Sequence, residues 1–459
     1  MMTGMRIFVA FLLMMLVVGG AAPLARAQLG EMRIIRDTEI EMGLRQLATP
    51  VIRAAGHKPE DIRFILIQNS DLNAFVAGGM NIFLNTGLIQ QAEHPGQLIG
   101  VIAHELGHIA GGHLVRGREA AKYAGVQTIL GTLAAVAAGV AAGSPEAGLF
   151  VLGGTQDTAR RTFFTHSRAQ EGSADAAALE YLNRASINPS GLGEFLQKLA
   201  SQELLPYDRQ SEWVRTHPIT LDRVDTVQTH VMDSPLRNQP LPHEWKTLLA
   251  RIQAKLVGFL QPEQALLRYT DHDSRWAARY ARAIALYRTN NMPRALAILD
   301  ELEKTETTNP YLYELRGQIL LENSKPRDAA AAYAKAIKLL PQAPLINIAY
   351  ARALLESRDD NQIPLALTQI QTALQKEPRE PESWRLLATG WGRLGELGKE
   401  KNSAGLVAYA LAEEAMSKGD AKVALPLVKR ALEQLPKDHP LWLKASDLRL
   451  AVEKVIEKN

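Results

Sequence analysis

Residues 103–114 read AHELGHIAGGHL. How this stretch is read decides the fold, because it is either an ordinary polar helix or one half of a metal site that needs a second helix. His104 and His108 are four residues apart, so on an α-helix they stand about 40° apart around the axis and one ion can meet both imidazoles. Glu105 sits beside them, where its carboxylate reaches a water and not the ion. This is the H-E-x-x-H arrangement, in which zinc lowers the pKa of a water and the glutamate takes its proton. A site of this kind needs a third protein ligand and an open fourth position. His113 lies about 140° from His108 around a continued helix, and is expected to be a packing or surface histidine.

The third ligand is expected downstream, in SRAQEGSADAAALEYL (167–182). Glu171 and Asp175 are again separated by one helical turn. On its own the pair reads as a solvated helix face. With H-E-x-x-H upstream, Glu171 completes a two-His, one-Glu set, and Asp175 accepts the free N–H of a ligand histidine.

Working outward, residues 31–56 carry apolar positions at helical spacing and predict an amphipathic helix. IRFILIQ (62–68) alternates and is β-branched, and NAFVAGGMNIFLNTGLI (73–89) supplies a glycine pair and a second strand. Pro95 to Glu119 has a helical pattern, and a second polar helix is expected around residues 168–200. Between them, residues 123–154 are nearly uncharged and rich in Ala, Gly and Val. Two readings stand for that segment: a transmembrane helix over Tyr123 to Ala142, or a flap over the site that makes peripheral contact with a membrane surface. SPLRNQPLPHEW (234–245) reads as a domain boundary.

Everything beyond it is helical. Gly317, Ala329, Tyr333, Ala336 and Pro341 fall at positions 8, 20, 24, 27 and 32 of a tetratricopeptide unit. Ala366, Ile370, Ala373 and Pro378 repeat the second half of that pattern, as do Ala424, Val428, Ala431 and Pro436. Ala283, Ala295 and Leu299 mark a weaker unit around 276–309. Small residues at those positions let paired helices approach closely, and the stacked units form a concave binding surface without chemistry of its own.

At the amino terminus, Arg6 precedes an apolar run from Ile7 to Val18, then the small-residue site Ala25-Arg26-Ala27. This layout predicts a secretory signal peptide cut after Ala27 and export to the periplasm. Its removal takes away Arg6 and Arg26 and no acid, so the formal charge falls from +3 to +1. Nucleic acid is therefore not an implied partner, and no Gly-rich phosphate loop supports a nucleotide. The chain has no cysteine, which excludes a lipoprotein anchor, disulfides and cysteine nucleophiles. The expected division is 1–27 signal peptide, 28–235 metal-binding catalytic domain, 236–264 linker and connecting helix, and 265–459 repeat domain.

HELGH, then EGSAD, with NAFVAGGMNIFLNTGLI ahead of them, resembles the zinc metallopeptidases of the HtpX and CAAX prenyl protease type, and among these the periplasmic members with a carboxy-terminal tetratricopeptide domain. The resemblance covers nearly the whole mature chain. It implies an α+β, mostly α fold: a gluzincin-like metalloprotease domain with a small β-sheet, followed by an all-α solenoid. It implies one Zn2+ held by His104, His108 and Glu171, with Glu105 as general base and Asp175 behind the ligands. It also implies a substrate-pairing strand at about Met80, Asn81, Ile82, Phe83 and Leu84. WVRTHPITLDRV (213–224) matches the family's T-H-P segment, so His217 is a candidate fourth, autoinhibitory ligand, its alternative being a structural loop histidine. His217 and Arg223 are both candidates to assist the oxyanion. The implied activity is endopeptidase cleavage of misfolded or stalled envelope polypeptides, above all outer-membrane β-barrel precursors, with the repeats docking on the barrel-assembly machinery. The alternative is a repeat chaperone or adaptor whose protease site is latent.

Overall fold

The computed structural model describes residues 33–77, 79–113, 168–200, 211, 213–214 and 217–458. The expected signal peptide and the segment 123–154 lie outside the described residues. Two compact units divide the rest, residues 33–36 with 43–249 and residues 37–42 with 250–458.

The first unit holds a four-stranded mixed sheet: β1 (Ile34–Ile35), β2 (Arg63–Ile67), β3 (Ala74–Ala77) and β4 (Asn81–Asn85), in the order β1-β2-β4-β3. Helix α1 (Thr38–Ala54) follows β1. The expected helix over 31–56 therefore starts late, for a local reason. Ile34 and Ile35 pair antiparallel with Ile67 and Leu66. Asp37 then caps the helix, its Oδ1 accepting from the Ile40 N–H at 2.9 Å while Glu41 Oε1 accepts from the Asp37 N–H at 3.1 Å. Such reciprocal capping satisfies backbone donors that a helix start leaves open.

Residues 73–89 contain two strands where one was expected. β3 turns through Gly79, whose φ is +100°, and returns antiparallel as β4, with Phe75 stacked on Phe83 at 4.8 Å. On its other side β4 pairs parallel with β2, in the register Arg63↔Asn81 to Ile67↔Asn85. This corrects the expectation that Met80 to Leu84 pairs with substrate. Asn81 to Leu84 have neighbours on both sides, so their backbone groups are already used, and Met80 lies outside the strand. Among the described strands the open edge beside the helix Pro95–Ala110 belongs to β3.

Helix α2 (Thr86–Gln91) leads into α3 (Pro95–Ala110), which carries the H-E-x-x-H stretch and is buried at every position from Pro95 to His108. The expected single helix over 168–200 is two: α4 (168–184) and α5 (Ser190–Ala200). Ser186 at φ 54° closes α4, and Pro189 precedes α5, where Asn188 Oδ1 accepts from the Ser190 N–H at 2.9 Å. Helix α3 packs on β3 and α5, and α5 on α6 (Leu221–Asp233). Helix α7 (His243–Leu260) follows the Pro-containing boundary.

The second unit is helical throughout. Its antiparallel neighbours include Trp276–Arg288 with Met292–Thr305, Pro310–Glu322 with Pro326–Leu339, Pro344–Glu356 with Ile363–Lys376, and Ser403–Ser417 with Ala421–Gln434. Residues picked out by the repeat register are buried: Ala283, Ala295, Leu299, Ala329, Tyr333, Ala336, Ala366, Ile370, Ala373, Ala424, Val428 and Ala431. A Cβ on Gly317 would sit 2.8 Å from the Tyr333 ring, which is why position 8 must be small there. Pro310, Pro326, Pro344 and Pro381 each open a helix, where the missing N–H costs nothing. Among the described residues no helix is long and apolar enough to cross a membrane.

Candidate metal centre

Three segments build the centre. Helix α3 supplies His104, Glu105 and His108; α4 supplies Glu171 and Asp175; the turn before α6 supplies His217. The two helices meet at Gly107, where a Cβ would lie 2.7 Å from the Ala174 carbonyl oxygen. Only a glycine admits this approach, and it sets Glu171 against the histidines one turn along each helix.

His104, His108, Glu171 and His217 each offer a ligand atom, and these atoms all lie within 4.8 Å of one another. His104 Nε2 is 3.3 Å from Glu171 Oε2, and His108 Nε2 is 3.3 Å from Glu171 Oε1. All four residues are buried, as are Glu105, Asp175 and Arg223. Burying so many polar groups costs free energy unless they are paired or hold an ion. Both carboxylate oxygens of Glu105 are buried, close to the Val76 backbone N–H of β3, and His217 Nε2 is 3.6 Å from one of them. Two imidazoles, a carboxylate and a further imidazole form a borderline-soft donor set that suits zinc.

Asp175 lies where expected. Its Oδ1 is 2.9 Å from His104 Nδ1 and it also binds Arg223, at 2.7 Å to Nε and 3.0 Å to Nη2. Arg223 Nη1 donates to the Pro218 carbonyl at 2.7 Å and lies 3.1 Å from Glu171 Oε2. Arg223 is therefore a clamp behind the two acids. Thr220 caps α6 by accepting from the Arg223 N–H at 3.3 Å, which fixes the clamp in the first turn of the helix.

The charges follow from these contacts. Burial alone would lower the His104 pKa, but Asp175 and Glu171 hold it up, at about 10. Burial works to raise Glu171, while His217, His104 and His108 bring it well below the usual carboxylate range. Asp175 is depressed in the same way by His104 and Arg223, against its own burial. For Glu105 burial prevails and raises the pKa, only partly offset by His108 and His104, so this group is adapted to holding a proton. Burial pushes His217 down to about 3, which keeps its imidazole neutral with a lone pair to give.

Two residues escaped the sequence reading of the site. Trp213, fully buried, stacks on His217 with ring centroids 4.2 Å apart and planes 18° apart, and its backbone N–H donates to the Leu72 carbonyl at 3.1 Å. The other is His113, placed off the ligand face by a continued helix. The helix does not continue. It ends at Ala110, Gly112 takes φ 62°, and His113 folds back to bring its Nδ1 within 2.9 Å of His108 Nδ1. The signal was the Gly111-Gly112 pair, a helix-stop pattern.

Residues 36–231 match peptidase family M48, and residues 263–310 and 315–361 match the tetratricopeptide repeat. The chain is 26% identical over 366 residues to a beta-barrel assembly-enhancing protease of Yersinia pestis, covering 77% of this chain and 73% of that one. It is likewise 26% identical over 392 residues to the protein of that name in Escherichia coli (strain K12), covering 83% and 78%. The metalloprotease LoiP of the same strain is 28% identical over 184 residues, or 39% of this chain and 68% of that one. With its buried His-His-Glu-His cluster, the chain carries an M48-family metalloprotease domain ahead of a tetratricopeptide region.

Proposed function

We propose that the chain is a periplasmic zinc endopeptidase that clears misfolded or stalled outer-membrane β-barrel precursors, delivered by its repeat region. One observation carries the reading: His104, His108 and Glu171 converge on one point beside the fully buried Glu105 carboxylate. His104, His108 and Glu171 would hold the zinc, which supplies Lewis acidity toward a peptide carbonyl and acidifies a water.

Glu105 takes the proton from the attacking water and returns it to the leaving amine. Its raised pKa suits both halves of that transfer. Asp175 and Arg223 fix the His104 ring and the Glu171 carboxylate so that neither turns away. An extended substrate pairs with the open edge of β3, Ala74–Ala77, next to α3. Backbone pairing makes recognition tolerant of side-chain sequence, as a quality-control protease requires. The β-barrel substrates and docking on the barrel-assembly machinery rest on the names of relatives about 26% identical to this chain.

A second reading, a chaperone or adaptor with a latent protease site, draws support from His217. Its imidazole stands in the ligand cluster, and as a fourth ligand it would occupy the position a substrate needs. Glu105→Gln separates the two readings. Cleavage of unfolded casein is expected to fall at least about 100-fold, as loss of a general base requires, while suppression of aggregation of an unfolded barrel protein persists. Cleavage at the parent rate would remove Glu105 from the mechanism.

A further inference from the structure

We propose that His113 is a positioning residue for His108: it accepts the Nδ1–H of that ligand and thereby fixes which nitrogen His108 turns to the metal. The inference rests on reading the cluster as a zinc site and assigns to His113 a role that the motif leaves open.

The geometry carries it. His108 Nε2 points into the cluster, 3.1 Å from His104 Nε2 and 3.3 Å from Glu171 Oε1. A neutral imidazole carries one proton, so a free lone pair on Nε2 requires the proton on Nδ1. His108 Nδ1 lies 2.9 Å from His113 Nδ1, both residues are buried, and the rings meet at 75° with centroids 5.0 Å apart. His113 Nδ1 must then be the acceptor, and the proton of His113 sits on Nε2. The opposite tautomer of His108 would place a proton where the ion belongs.

The backbone is built to bring His113 there. Gly112 at φ 62° reverses the chain, and a Cβ on Gly111 would lie 2.3 Å from His113 Nε2. The ring thus lies directly over Gly111, in space that a side chain there would occupy. The centre orients its two histidines differently: a carboxylate holds His104 through Asp175, and a neutral imidazole holds His108. An imidazole fixes the ring without adding a negative charge to a cluster that already contains Glu105, Glu171 and Asp175. Outer partners of this kind raise ligand basicity and restrict ring rotation.

The test is zinc affinity of the full mature chain, measured by competition with a chromogenic chelator, for the parent, His113→Leu and His113→Asn. Asn places a carbonyl oxygen close to the position of the His Nδ1, whereas Leu keeps bulk and offers no acceptor. His113→Leu is expected to weaken zinc binding roughly 10- to 100-fold, with His113→Asn recovering most of the loss and the two metal-free variants melting alike. Should His113→Leu not fold, His113→Ala takes its place in the same comparison. Parent affinity in the variant without an acceptor, or an equal loss in both variants, overturns the inference and leaves the protease reading intact. A parent chain that takes up no zinc overturns both.

Discussion

At the scale of single residues, the centre shows why identity and spacing are read more easily than partnership. His104, Glu105, His108, Glu171 and Asp175 follow from helical spacing, because i and i+4 side chains share a face whatever surrounds them. Arg223 has no such rule. Its place behind Asp175 and Glu171 depends on Thr220 capping a helix from a different part of the chain. His217 lies between these cases. The T-H-P segment marked it, but Trp213, four residues earlier and stacked on its ring, is itself held by tertiary contacts, its backbone N–H donating to the Leu72 carbonyl and its ring meeting Phe195 edge-on. If His217 closes the site, activity scales with the fraction of molecules in which it has left. Replacing His217 with Ala is expected to raise casein cleavage roughly tenfold, matching an open fraction near one tenth, with zinc content unchanged. Unchanged or lower cleavage at full zinc content would make His217 a structural or catalytic group and not a latch.

At the scale of elements, helices α3 and α4 must touch along their backbones for the two halves of the site to meet. Gly107 permits this, and its cost is visible in the 2.7 Å that a Cβ would leave to Ala174. Gly107→Val is expected to destabilise the chain by about 1–3 kcal/mol, the usual range for overpacking a core, and to lower zinc content by moving Glu171. Gly172, on the same helix as Glu171, is the control: a Cβ there meets nothing among the described residues, so Gly172→Ala should leave both properties near the parent value. Equal effects in urea melts and metal analysis would contradict the close approach at Gly107. Element boundaries were legible only where a stop signal was given its weight. The gap between α4 and α5 lies at Asn188-Pro189, and the end of α3 at Gly111-Gly112. Strand order was not legible at all: β3 and β4 have similar alternation, and only the pairing of β4 with both β2 and β3 puts Asn81 to Leu84 beyond the reach of a substrate.

At the scale of the whole molecule, a catalytic unit and a repeat unit share one chain. The repeats were legible because the register recurs: Ala329, Tyr333 and Ala336, then Ala366, Ile370 and Ala373, then Ala424, Val428 and Ala431 keep one spacing, and all nine are buried. The helix Pro381–Glu396 was passed over although it keeps the register: counted on from Pro378, Trp384 falls at position 4 and the buried Ala388 at position 8. Under the proposed function the repeats would supply polypeptide and the metal centre would cut it. The central claim is that His104, His108 and Glu171 hold one catalytic ion. The direct measurement is zinc content by mass spectrometry on the purified mature chain and on Glu171→Ala, each grown metal-replete. The account predicts about one zinc per chain in the parent, with Glu171→Ala losing most of it together with casein cleavage. A parent without zinc, or a Glu171→Ala variant with a full complement, would contradict it.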